Sequence, residues 1–176
     1  MAVREIRLYP DPVLRRPAKP VTRVTKKLAR LAQDMAETMY AANGVGLAAP
    51  QVGKGVRLAV VDVGDGLITL FNPVIVAREG TAVDVEGCLS IPKITAYVER
   101  AAQVTVEALD LEGRPFRVEA DGLLARALQH EIDHLDGILI VDRATRLFRE
   151  EEREGEEEPV AVEIDREELL RQEVAP

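Results

Sequence analysis

The sequence predicts an α+β domain: mostly antiparallel strands around a central HExxH helix, with a second long helix near the N-terminus. Three observations carry this. Leu28, Leu31, Ala32, Met35 and Met39 recur at helical spacing. Short β-branched runs fill residues 56–119. Leu124, Leu128 and Leu135 then restore the helical period on a segment that also holds His130 and His134. At 176 residues and 47% hydrophobic, the chain is sized for one domain with its own core.

Taken in order, Tyr9-Pro10-Asp11-Pro12, Arg16-Pro17 and Lys19-Pro20 predict an irregular arm, because proline lacks the N–H that helix and sheet need. Thr25 is placed to cap the first helix, and Asn43-Gly44 stops it. Leu58 to Val61 and Val104 to Leu109 read as strands, with Glu112-Gly113 as the hairpin turn before Phe116 and Val118. Asp121 opens the second helix and Gly137 ends it. Composition changes after Phe148. Residues 1–148 hold 19 basic and 19 acidic side chains, whereas 149–176 hold 4 and 12, so the net charge of −8 resides in the last segment. The expected division is therefore an electrically balanced body over 1–148 and an acidic tail over 149–176. Glu150 to Glu158 reads as a solvated, mobile run, and residues 166–173 as a short helix.

Composition also excludes function classes. No apolar run approaches the roughly 20 residues needed to cross a bilayer. The start lacks the apolar segment of a secretory signal, so a cytoplasmic location is expected. An anionic tail repels nucleic acid, and no direct nucleic-acid binding is expected. Cys88 is the single cysteine, which leaves its thiol as a core residue, a nucleophile or a metal ligand.

His130 and His134 are the two histidines of the chain, four apart around Glu131. On a helix that spacing aims both imidazoles at one metal ion, and Leu123 and Ala127 on the same face make an apolar wall beside them. A catalytic site needs a third protein ligand. The extended HExxHxxGxxH motif has Gly137 in place but ends on Ile140, which cannot ligate. Glutamates of the tail sit in a segment unsuited to holding a ligand still. Cys88, in Glu86-Gly87-Cys88-Leu89-Ser90, is the remaining strong donor. Gly44-Val45-Gly46-Leu47-Ala48-Ala49-Pro50-Gln51 is glycine-rich but lacks the endings of phosphate-binding loops. Two readings stay open for it: small residues that let a ligand backbone approach, with the Gln51 amide facing an oxyanion, or a tight turn that packs the helix end.

These three segments together, complete and in the same order, resemble the signature segments of peptide deformylases, and Tyr9 to Arg15 is similar to that family's opening. The likeness spans residues 3–148. It implies removal of the formyl group from N-terminal formyl-methionine of newly made proteins, releasing formate. It implies one divalent metal ion on Cys88, His130 and His134, with Fe(II) the expected native ion and Zn, Ni or Co as substitutes. Glu131 would move the proton, while Gln51 and the Leu89 backbone N–H meet the oxyanion. The resemblance further places the methionine side chain near Val45, Leu123 and Ala127, and the peptide backbone along a strand edge at Gly46. Members act on N-formylmethionyl nascent peptides near the ribosome; some dock there through a basic extension, which this acidic tail is not. Two other readings remain: an HExxH metalloprotease or aminopeptidase, and a metal-binding paralogue without catalysis.

Overall fold

Thr25 begins the first helix, α1 (Lys26–Ala41): its side chain accepts a hydrogen bond from Leu28 N, satisfying one of the N–H groups that a helix start leaves free. The computed structural model describes residues 2–174. After α1 come β1 (Gly46–Ala48), a 3-10 turn over Ala49–Val52, β2 (Leu58–Val61), β3 (Ile68–Glu79) and β4 (Ala82–Cys88). The chain continues through β5 (Ile91–Arg100), β6 (Gln103–Leu109), β7 (Pro115–Asp121), α2 (Gly122–Leu135) and α3 (Ile140–Arg143). It closes with β8 (Ala144–Glu151), β9 (Val160–Ile164) and α4 (Arg166–Val174).

The strands form two antiparallel sheets, ordered β1-β2-β3-β6-β7 and β4-β5-β8-β9. α2 sets Ala125, Leu128 and Ile132 in one apolar cluster with Val61, Leu70, Val104 and Val106 of the first sheet. α1 does the same with Leu31, Met35 and Met39 against Leu47, Leu58 and Phe71. Burying each such side chain contributes about 1.5–3 kcal/mol before entropy is set against it. The second sheet has its own core, in which Ile94, Val98 and Leu147 meet Leu14, Ile140 and Leu169. β1 and β4 each stand at an edge of their sheet, and the site lies where those edges approach α2.

The C-terminal segment departs from the expectation. β8 runs through residue 148, so the break in composition there is not a structural boundary. β9 pairs with β8 from Leu147↔Ile164 to Glu151↔Val160, and α4 buries Leu169 to 3% exposure in the core of the second sheet. Arg15 donates to Glu173 at 2.7 and 2.8 Å, and Tyr9 Oη donates to the Leu169 carbonyl at 3.0 Å. The solvated reading holds for the linking run, where residues 152–159 are exposed. The segment as a whole is not a detached acidic tail, because Val160, Val162 and Ile164 complete a sheet and Leu169 completes a core.

Candidate metal centre

α2 carries His130 and His134 one turn apart on its inner face, and β4 brings in Cys88 at its end. The pairing of β4 with β5 shifts register between Gly87 and Cys88, an irregularity of the kind that re-aims a side chain. Cys88 Sγ lies 3.3 Å from His134 Nε2, which lies 3.2 Å from His130 Nε2. All three donor atoms fall within 4.8 Å of one another. Sulfur and nitrogen ligands at about 2.0–2.3 Å in a tetrahedron stand roughly 3.3–3.6 Å apart, so this donor set fits one transition-metal ion.

A charged floor fixes one of the ligands, His130. His130 Nδ1 donates to Glu86 Oε1 at 2.9 Å, which leaves Nε2 as the ring's free lone pair. Glu86 in turn accepts from Arg100 Nε at 2.5 Å, Arg100 Nη2 at 2.8 Å and Arg126 Nη1 at 2.7 Å. Arg100 also reaches Asp133 at 2.9 Å, and Arg143 closes on the same carboxylate. Burial opposes charge on Glu86, but the hydrogen bonds from Arg100 and His130 outweigh it and hold the carboxyl well below the usual range. Burial likewise opposes charge on His130, yet Glu131, Cys88 and Glu86 raise its pKa well above the imidazole value, so without a metal a proton competes for Nε2. Glu86, Arg100 and Arg126 had no role in the sequence reading. A signal existed for two of them: Glu86 opens the Cys88 segment, and Arg126 stands one helical turn before His130.

Glu131 is placed differently. It is 4% exposed, and its Oε1 has no hydrogen-bond partner among the described residues. Burial is the main cause that pushes its carboxyl up to about 7, against the pull of His130 and Arg100. A Cβ on Gly46 would collide with this carboxylate, so glycine is required here by Glu131 itself. The glycine-rich segment thus makes room for a protein side chain, a use of its smallness that neither reading of the sequence contained. At Gly44 a Cβ would stand 2.7 Å from Leu89 Cδ1, so that side chain would have to turn aside.

Gln51 shows the turn-closing reading of its segment and leaves its amide nitrogen beside Cys88. Its Oε1 accepts from Ala48 N at 2.9 Å, closing the turn, while Nε2 faces Ser90 Oγ at 3.1 Å and Cys88 Sγ at 3.7 Å. A cleft of about 390 Å³ opens over the centre, lined by Val45, Gly46, Leu89, Leu123, Ala127 and Glu131 among others. Every pocket residue named from the sequence is therefore at the cleft. Ile91 and Ile94 of β5 also line it and were missed, because local pattern does not tell which strand faces a site.

The family profile of polypeptide deformylases matches residues 3–150. A peptide deformylase of Caldicellulosiruptor bescii is 56% identical over 152 residues, covering 86% of this chain and 92% of the relative. One from Desulfitobacterium hafniense is 54% identical over 149 residues, 85% and 99% of the two chains. Among solved structures, the Thermotoga maritima peptide deformylase superposes with a TM-score of 0.81 at 44% identity, over 82% of this chain and 99% of that one. The Synechococcus elongatus peptide deformylase in complex with actinonin gives 0.79 at 41% identity, over 96% and 84%.

Proposed function

From the premise that this chain belongs to the polypeptide deformylase family, enzymes that remove the N-formyl group from nascent peptides, we propose how its own residues divide that work. Cys88 Sγ, His130 Nε2 and His134 Nε2 hold one divalent ion, Fe(II) in this reading, with Zn, Ni or Co able to replace it. When bound, such an ion supplies Lewis acidity that polarises a carbonyl and makes water acidic near neutral pH.

Glu131 takes a proton from the water that attacks the formyl carbon. It returns that proton to the amine nitrogen as the C–N bond breaks, so formate and a free N-terminus leave. A carboxyl raised to about 7 is suited to both halves of this transfer. Gln51 Nε2 and the Leu89 N–H donate to the oxygen that gains charge. Val45, Leu123 and Ala127 receive the methionine side chain, and the open edge of β1 at Gly46 pairs with the substrate backbone. In this reading the work is done in the cytoplasm, on chains emerging from the ribosome.

One observation carries the assignment: three soft and borderline donors converge while Glu131, beside them, keeps a buried oxygen without a partner. A purely structural centre calls for a fourth protein ligand, and among the described residues the metal-ligating cluster has three members. The test is formate release from formyl-Met-Ala-Ser by anaerobically purified protein, with metal content determined on the same sample. Metal-dependent formate supports the reading. Absence of formate from protein carrying one equivalent of iron or zinc overturns it.

A further inference from the structure

Among the described residues, three other than glycine have positive φ: Asn43 at 56°, Asn72 at 51° and Lys93 at 67°. Asparagine tolerates the left-handed region, whereas a lysine held there costs about 1–2 kcal/mol per residue. Such a conformation persists where the surroundings impose it, and it clusters at sites of recognition. Lys93 lies on β5, lining the cleft.

The other charged residues of that cleft are Glu86, Arg126 and Glu131, each less than 9% exposed. Lys93 is exposed and forms no ion pair among the described residues. It is therefore the one solvent-facing charge on the cleft wall among the described residues. Ile91 is the partner of Cys88, and Lys93 stands two residues on, within the register shift that separates the Cys88↔Ile91 pair from Gly87↔Thr95. A peptide seated in the cleft that holds Cys88 and Glu131 lies against the wall that carries Lys93.

Resting on the deformylase reading, we propose that Lys93 is a specificity residue: its ammonium selects nascent chains bearing an acidic side chain shortly after the methionine. The gain is that of an exposed ion pair, about two- to fivefold in kcat/KM, and it shrinks as salt rises.

The experiment compares metal-loaded enzyme on amidated peptides that differ in one residue, formyl-Met-Glu-Ala against formyl-Met-Gln-Ala and formyl-Met-Ala-Glu against formyl-Met-Ala-Gln. Amidation removes the terminal carboxylate as a competing source of charge. Reading the Glu/Gln ratio of kcat/KM within each variant cancels differences in folding or metal loading. Wild type and Lys93→Arg should favour the Glu member of at least one pair, Lys93→Gln should show a ratio near one, and Lys93→Glu should invert it. Equal ratios in wild type and Lys93→Gln overturn the role of Lys93 while leaving the deformylase reading intact. Formate from none of the peptides would overturn that reading, and this proposal with it.

Discussion

Two buried carboxylates at one centre are treated in opposite ways. Glu86, in the floor, accepts from Arg100, Arg126 and His130, and every charge around it is paired. Glu131, at the cleft, is as deeply buried and has an oxygen with no partner among the described residues. The satisfied carboxylate is a fastener, rigid because leaving any member of its network unpaired is expensive. The unsatisfied one has no fixed donor for its charge among the described residues and burial raises its affinity for a proton, the state that the proposed proton transfer uses. A folded chain can thus assign structure and chemistry to the same residue type through partners alone.

The floor should give the largest response. Glu86→Ala leaves Arg100 and Arg126 buried without their anion and should destabilise the protein by about 3–5 kcal/mol in denaturant unfolding. Metal affinity should fall roughly 10–100-fold as His130 loses its orienting acceptor. A loss under 1 kcal/mol would show that the network relaxes around water and is no fastener. Gln51→Leu comes next, lowering kcat about 10²–10³-fold with metal content intact, as for single oxyanion donors. An unchanged kcat would leave Gln51 only its turn-closing bond to Ala48.

The two carboxylates should also carry opposite signs in pH dependence. Glu86 is held below its usual value, so its stabilisation is present above about pH 4.5 and is lost as pH falls from there. Glu131 is raised from 4.5 to about 7, so the folded chain favours its protonated form and stability declines as pH climbs between those values. In metal-free protein, Glu131→Gln should therefore gain stability relative to wild type from pH 4.5 to 7. Parallel curves would contradict the contrast. The smallest effect is expected far from the centre: Glu173→Gln weakens the bonds from Arg15 and Tyr9 that dock α4, and should cost about 1 kcal/mol without changing kcat.

Much of this was legible before any coordinates. Thr25 and Asn43-Gly44 bound α1 because caps and stops are local chemistry. The histidine pair, Cys88 and Gln51 converge because each sits in a segment whose residue types are unusual on their own. What escaped depends on contacts between distant segments. Glu86 finds Arg100 across a hairpin and Arg126 across 40 positions, pairings that no window reveals. The docking of β9 and α4 was masked by the glutamates before them. Val160-Ala161-Val162-Glu163-Ile164 nonetheless alternates with a strand's period, and Leu169-Leu170 supplied an apolar face. Gly46 showed its need for smallness but not what would fill the space, since only the fold brings Glu131 there.

The most direct test of the central claim is formate release and metal content measured on the same sample of Glu131→Gln. The account requires about one equivalent of metal, as in wild type, with turnover down by roughly 10²–10⁴, the range for a positioned acid–base group. Full turnover at normal metal content would remove Glu131 from the proton transfer, and loss of the metal would show that it belongs to the floor after all.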